Sequence, residues 1–210
     1  MTKTIDRMCA QWLLLLPIVA AVGCDADDGP TGDATEIITT VRLRFTPAAG
    51  TAIEAAFRDP DGDGGMPPTI DAIALAPMQT YDLTVEFANE LVMPAEDITV
   101  EIEGEAAAHQ VFLLGSAVDG PATDNPGAAL MHAYADTEAD YGAGGTLPVG
   151  LVNTITTAAQ GQGDLIVMLR HMPALNGTAQ KHAGLAESLA MGEPLPGEVD
   201  AQVTFAVTVP

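Results

Sequence analysis

The sequence predicts an all-β fold, an antiparallel immunoglobulin-like β-sandwich of about eight or nine strands over residues 36–210, with one short helix near 95–107. Three observations carry this expectation. Apolar and polar residues alternate strictly through several short segments, as in strands with one face packed and one face wet. Loops dense in Gly and Pro separate those segments. Helical spacing surfaces in a single stretch.

Residues 1–23 read as a lipoprotein signal peptide, to be set aside from the fold. Lys3 and Arg7 form a basic start, and "WLLLLPIVAAV" (12–22) is an apolar run too short to span a bilayer. It ends in "AVGC", which resembles the bacterial lipobox, with Cys24 as the lipidated residue. Cys9 and Cys24 are the two cysteines of the chain. Cys9 leaves with the signal, so no disulfide remains to form, and lipidation accounts for a lone thiol at a new N-terminus. Residues 24–35 then read as an acidic flexible tether with a reach of about 20 Å.

Composition narrows the partners. The chain has 7 Lys+Arg against 29 Asp+Glu; loss of Lys3, Arg7 and Asp6 with the signal leaves 5 against 28, a charge of −23. That charge repels polyanions and excludes nucleic-acid binding. The expected contact is the membrane, through the lipid, which places the protein in the cell envelope. Arg42, Arg44 and Arg58 cluster early in the domain, either as surface charges or as a docking patch.

The strands follow in order. "TTVRLRFT" (39–46) turns Val41, Leu43 and Phe45 inward and Arg42 and Arg44 outward. Ile53, Ala55 and Phe57 continue the pattern after a hairpin connection at 46–50. "TYDLTVEF" (80–87) and "AQVTFAVTV" (201–209) alternate most cleanly. Segments 71–76, 109–114, 128–135, 149–157 and 164–171 complete the strands, with loops at 59–69, 115–127, 136–148, 158–163 and 172–198. In "PAEDITVEIEGEAAAHQ" (94–110), Pro94, Glu96 and Asp97 resemble a first helical turn, and Ile98, Ile102 and Ala106 recur at helical spacing.

Two groups of residues bear chemistry. "FRDPDGDGG" (57–65) sets Asp59, Asp61 and Asp63 at alternate positions with Gly64 sixth, as a calcium loop would. The twelfth position is Ile70, and the acid comes one place late, at Asp71, after Pro67 and Pro68. The stretch therefore reads as an acidic inter-strand turn, with a calcium loop of another geometry as the alternative. The histidines are His109, His132, His171 and His182. A helix before His109 sets Glu105 one turn ahead of it, and His171 closes the strand "DLIVMLRH". His109, His171 and Glu105 form a candidate set for zinc or copper, since imidazole with carboxylate suits zinc and His beside Met suits copper. Isolated strand-end histidines are the plainer alternative. Ser116 and Ser188 sit in no nucleophile elbow, and "YGAGGTLPVG" lacks the ending of a phosphate loop, so the reading is non-catalytic.

In order, "FRDPDGDGG", "TYDLTVEF", "PAEDITVEIEGEAAAHQVF", "LPVGL", "DLIVMLRHMP" and "EVDAQVTFAVTV" resemble a group of bacterial lipoproteins named "type 1 periplasmic binding fold superfamily protein". The resemblance implies a place beside TonB-dependent receptors and capture of a ligand or metal for uptake. The name implies an α/β fold, which the isolated alternating strands argue against. A structural or adhesive surface lipoprotein that contacts only other proteins is the alternative function.

Overall fold

Alternation becomes strand throughout the computed structural model, which describes residues 36–62 and 64–210. The signal peptide, Cys24, the 24–35 tether and Asp63 lie outside the described residues. Chain order runs β1 (Thr40–Pro47), β2 (Ile53–Arg58), β3 (Thr69–Ile70), β4 (Ile73–Ala74), β5 (Thr80–Asn89), β6 (Glu96–Asp97) and α1 (Ile98–Gly104). It continues through β7 (His109–Leu114), β8 (Val118–Asp119), β9 (Leu130–Tyr134), a 3-10 turn (Glu138–Tyr141), β10 (Val152–Thr157), β11 (Gly161–His171), α2 (Leu185–Ala190) and β12 (Glu198–Val209). The fold is all-β, built as two sheets. No described helix is long and apolar enough to cross a membrane.

The larger sheet runs β3-β2-β1-β5-β10-β9-β8, with β6 added to β5, and curls into a half-barrel. The smaller runs β4-β12-β11-β7. Most pairs are antiparallel; β8 with β9 and β4 with β12 are parallel, two-residue ladders at sheet edges that correct the wholly antiparallel expectation. One core joins the inner faces. Val41, Leu43 and Phe45 of β1 and Tyr81, Leu83, Val85 and Phe87 of β5 belong to it, with Leu165, Val167 and Leu169 of β11 and Val203, Phe205 and Val207 of β12. Each of these side chains is almost fully withdrawn from water, which stabilises the fold by roughly 1.5–3 kcal/mol apiece.

The helix expected near 95–107 is shorter and begins later. Glu96 and Asp97 pair with Asn89 and Ala88 as a strand, and the Asp97 carboxylate then accepts the Thr99 N–H at 3.1 Å, so the helix starts after the cap. Pro94 therefore lies in a bend, and Glu96 and Asp97 are strand and cap, not a first helical turn. The helix ends at Gly104, and Ile98 and Ile102 bury against β5.

A second helix, α2, lies inside the segment read as a loop at 172–198. It has six residues and no side-chain cap, leaving little for sequence reading to find. Leu185 and Ala186 cover Phe112 on the outer face of β7, together with Met172 just after β11. This explains why "HQVFLL" does not alternate: Val111 and Leu113 face the main core while Phe112 faces α2.

A buried ion pair ties the loops to the turn before β7. Lys181 Nζ lies 3.1 Å from Glu138 Oε1 and donates to the Ala106 carbonyl at 2.7 Å, with both side chains nearly inaccessible. Burial pulls the lysine pKa down while Glu138 holds it up. Removing one member of a buried pair strands the other charge. Lys181→Met is expected to cost about 3–5 kcal/mol in urea unfolding, and adding Glu138→Leu to recover much of it. Additive losses in the double variant would show that the pair is not coupled.

Candidate metal centre

The site is built on the register between β7 and β11. On the inner face of the smaller sheet, Leu113 opposes Val167, Val111 opposes Leu169, and His109 opposes His171. The third pair continues the alternation of the first two, but in imidazole. The rings stack with centroids 4.4 Å apart and planes within 8°. The His109 side chain is inaccessible to solvent and that of His171 is 15% exposed.

Glu105 joins them from the turn after α1, where the Ala108 and His109 N–H groups both donate to the Glu105 carbonyl. Its carboxylate Oε2 lies 3.7 Å from His171 Nε2 and 3.9 Å from His109 Nδ1. The structure thus brings together Glu105, His109 and His171, the set read from the sequence, with donor atoms within 4.8 Å of one another.

Two further acids, which the sequence reading did not select, reach the same place. Glu36 Oε1 lies 3.7 Å from His109 Nε2, and Glu36, His109 and Asp200 form a second group within 4.8 Å. Asp200 arrives through a bulge. Leu169 pairs with Ala201 but Arg170 pairs with Val199, so Asp200 is the extra residue. In an unbroken strand, Val199 would follow Ala201, Val203 and Phe205 inward; here Val199 is 42% exposed and Asp200 turns to the histidines. Burial pushes the Asp200 carboxyl pKa up, His171 and Arg170 pull it down, and Glu198 adds to the rise. Arg170 fixes the approach to the bulge by donating to the carbonyls of Leu195, Pro196 and Gly197. Gly197 has φ +72°, and a Cβ there would lie 2.0 Å from the His171 carbonyl oxygen, so only glycine fits.

Asp59 and Asp61 line a cavity of about 380 Å³ together with Glu36, Ile37, Leu91 and Asp200. Both also serve the turn: Asp61 Oδ2 accepts from Gly65 and Met66, and Asp59 Oδ1 from Asp61 N–H. Asp71, the late acid of the calcium-loop count, instead accepts the Ala56 N–H and pairs with Arg58. Arg42, Arg44 and Arg58 sit together on the outer face of β1 and β2, each beside an acid: Glu90, Glu54 and Asp71.

The other histidines stand apart. His182 is exposed, and its Nδ1 meets the Ala183 carbonyl. His132 is buried on β9 with Nε2 2.9 Å from Asn153 Oδ1.

Compared with protein-family models, curated proteins and solved structures, the chain matches none of them.

Burial lowers the His132 pKa below its ordinary 6.5, against smaller upward pulls from Asn153 and Asp136. The unfolded chain therefore takes up this proton before the folded one does. The contribution of His132 is full above pH 6.5 and is lost as pH falls through 6.5 toward the folded pKa. Urea unfolding between pH 7 and 5 should show His132→Gln losing less stability than the parent, by up to about 1.4 kcal/mol per pH unit. Parallel curves for the two proteins would count against a neutral buried imidazole.

Proposed function

We propose that the protein is a lipid-anchored, non-catalytic binding protein of the bacterial envelope, and that its folded part captures a divalent transition metal, zinc or copper, at the His109 cluster. On this reading it feeds a TonB-dependent outer-membrane receptor. The observation that carries the proposal is the meeting of two imidazoles and three carboxylates from four separate chain segments at one end of the core. Gathering ionisable groups around an enclosed imidazole is costly unless they are paired or bound to an ion, and both imidazole and carboxylate suit zinc. The inner faces of the two sheets share one core, which supports the narrower, immunoglobulin-like reading of the fold. Consecutive Leu91, Val92 and Met93, 44–94% exposed, favour the second reading, a surface lipoprotein that docks on other proteins.

Calorimetric titration tests the metal directly. The parent should bind zinc or copper(II) stoichiometrically, and His109→Ala should weaken binding by tenfold or more, about 1.4 kcal/mol. A parent that binds no better than a His109→Ala/His171→Ala double variant would retire the metal reading.

The anchor is tested apart from the metal. Expressed in a Gram-negative host, the chain should partition into the detergent phase and the Cys24→Ala variant into the aqueous phase. Equal partitioning would sink the lipid anchor.

A further inference from the structure

We infer that the cation is held on the Nε2 side of His109, by Glu36 and Asp200, rather than between the two stacked imidazoles, and that Glu105 positions His109 instead of ligating the ion. This rests on the metal reading above and sharpens it.

The tautomer is the first argument. His109 Nδ1 lies 3.3 Å from the backbone carbonyl oxygen of Glu105. A carbonyl only accepts, so Nδ1 carries the proton and the ligating lone pair belongs to Nε2. That nitrogen faces Glu36 Oε1 at 3.7 Å. Ligation toward Glu105 would require His109 to give up this hydrogen bond and switch tautomer. A metal-bound histidine commonly donates its other N–H to such a carbonyl, which fixes the ring and raises its basicity.

Ring geometry is the second. Imidazole lone pairs lie in the ring plane, and the two planes are within 8° at a centroid separation of 4.4 Å. An ion about 2.0–2.1 Å from a ring nitrogen cannot lie in both planes at once. Joint ligation needs one ring to swing, and His109 is wholly enclosed. His171 instead forms a wall: it stacks on His109 and sets Nε2 3.7 Å from Glu105 Oε2.

The bulge is the third. It departs from the inward apolar alternation of β12 at one residue, and that residue is Asp200, beside Glu36 and His109. Asp200 Oδ2 is buried and accepts no hydrogen bond from the described residues. Glu36 and Asp200 also line the cavity of about 380 Å³ that holds Asp59 and Asp61. Asp59 and Asp61 of the acidic turn thereby share a cavity wall with two of the proposed ligands.

One imidazole nitrogen with two carboxylates is a harder donor set than two imidazoles with one carboxylate. It suits Zn²⁺ or Mn²⁺ and disfavours Cu(I), which prefers thiolate or thioether.

Zinc titration of the detergent-solubilised mature chain, compared with Glu36→Gln, Asp200→Asn and Glu105→Gln, tests the placement. The first two should each weaken binding by tenfold or more, while Glu105→Gln, which keeps its backbone carbonyl, should weaken it less than threefold. Long-range ¹H–¹⁵N spectra should show His109 protonated at Nδ1 without zinc and its Nε2 signal displaced by zinc. If Glu36→Gln or Asp200→Asn keeps parental affinity, or Glu105→Gln loses as much as they do, the placement is wrong while the metal reading stands. A parent without stoichiometric zinc would overturn both.

Discussion

The antiparallel pairing of β7 with β11 sets where everything else in the site must lie. Its register places Val111 on Leu169 and, two residues on, His109 on His171. A slip of one residue would send Gln110 and Arg170 inward and both imidazoles outward. The apolar pairs below hold the register, because such a slip would also expose Val111, Leu113, Val167 and Leu169. The stacking of the histidines is thus a consequence of core packing one rung away. Packing and site share one ladder.

What surrounds that ladder fixes the chemistry. Lys181 grips the Ala106 carbonyl and so braces the turn that presents Glu105 and starts β7. Arg170, on the opposite face of β11 from His171, gathers three carbonyls of the segment that leads into β12. Both cations hold backbone, not ligand. The other described cations, Arg42, Arg44 and Arg58, lie on the outer face of β1 and β2, paired with acids there. Imidazole is a basic neighbour of the carboxylates around the histidines: Glu36 lies beside His109, and Glu105 beside both histidines.

Much of the architecture was legible because period-2 alternation survives wherever one face of a strand is wet. β1, β5 and β12 announce themselves in this way. The 94–110 stretch was legible only in part, since Glu96–Asp97 and α1 follow one another without a break in composition. α2 was not legible: six residues with no capping side chain carry too little local preference to stand out, and α2 is held by Phe112 of β7 and by Met172. Of the site, His109, His171 and Glu105 could be read from strand ends and helical spacing. Asp200 could not, because "EVDAQVTFAV" alternates without visible interruption and a bulge adds a residue that only the partner strand reveals. Glu36 precedes the first strand, where no pattern says which way a side chain turns.

The chain's large negative charge bears on this site less than it first suggests. A field of that size gathers cations over the whole surface, and at physiological ionic strength it is screened within about 8 Å. It raises the local concentration of any cation alike and so confers no preference. Discrimination has to come from groups held in fixed geometry and sheltered from solvent. His109 meets both conditions, being wholly enclosed and tied at Nδ1 to a backbone carbonyl. Asp200 meets the first through the bulge. Asp59 and Asp61, by contrast, already give carboxylate oxygens to their own turn. The two acidic features of the sequence therefore differ in kind: the turn lines the cavity and adds to the general field, while at His109 and Asp200 strand pairing rather than charge decides which atoms meet.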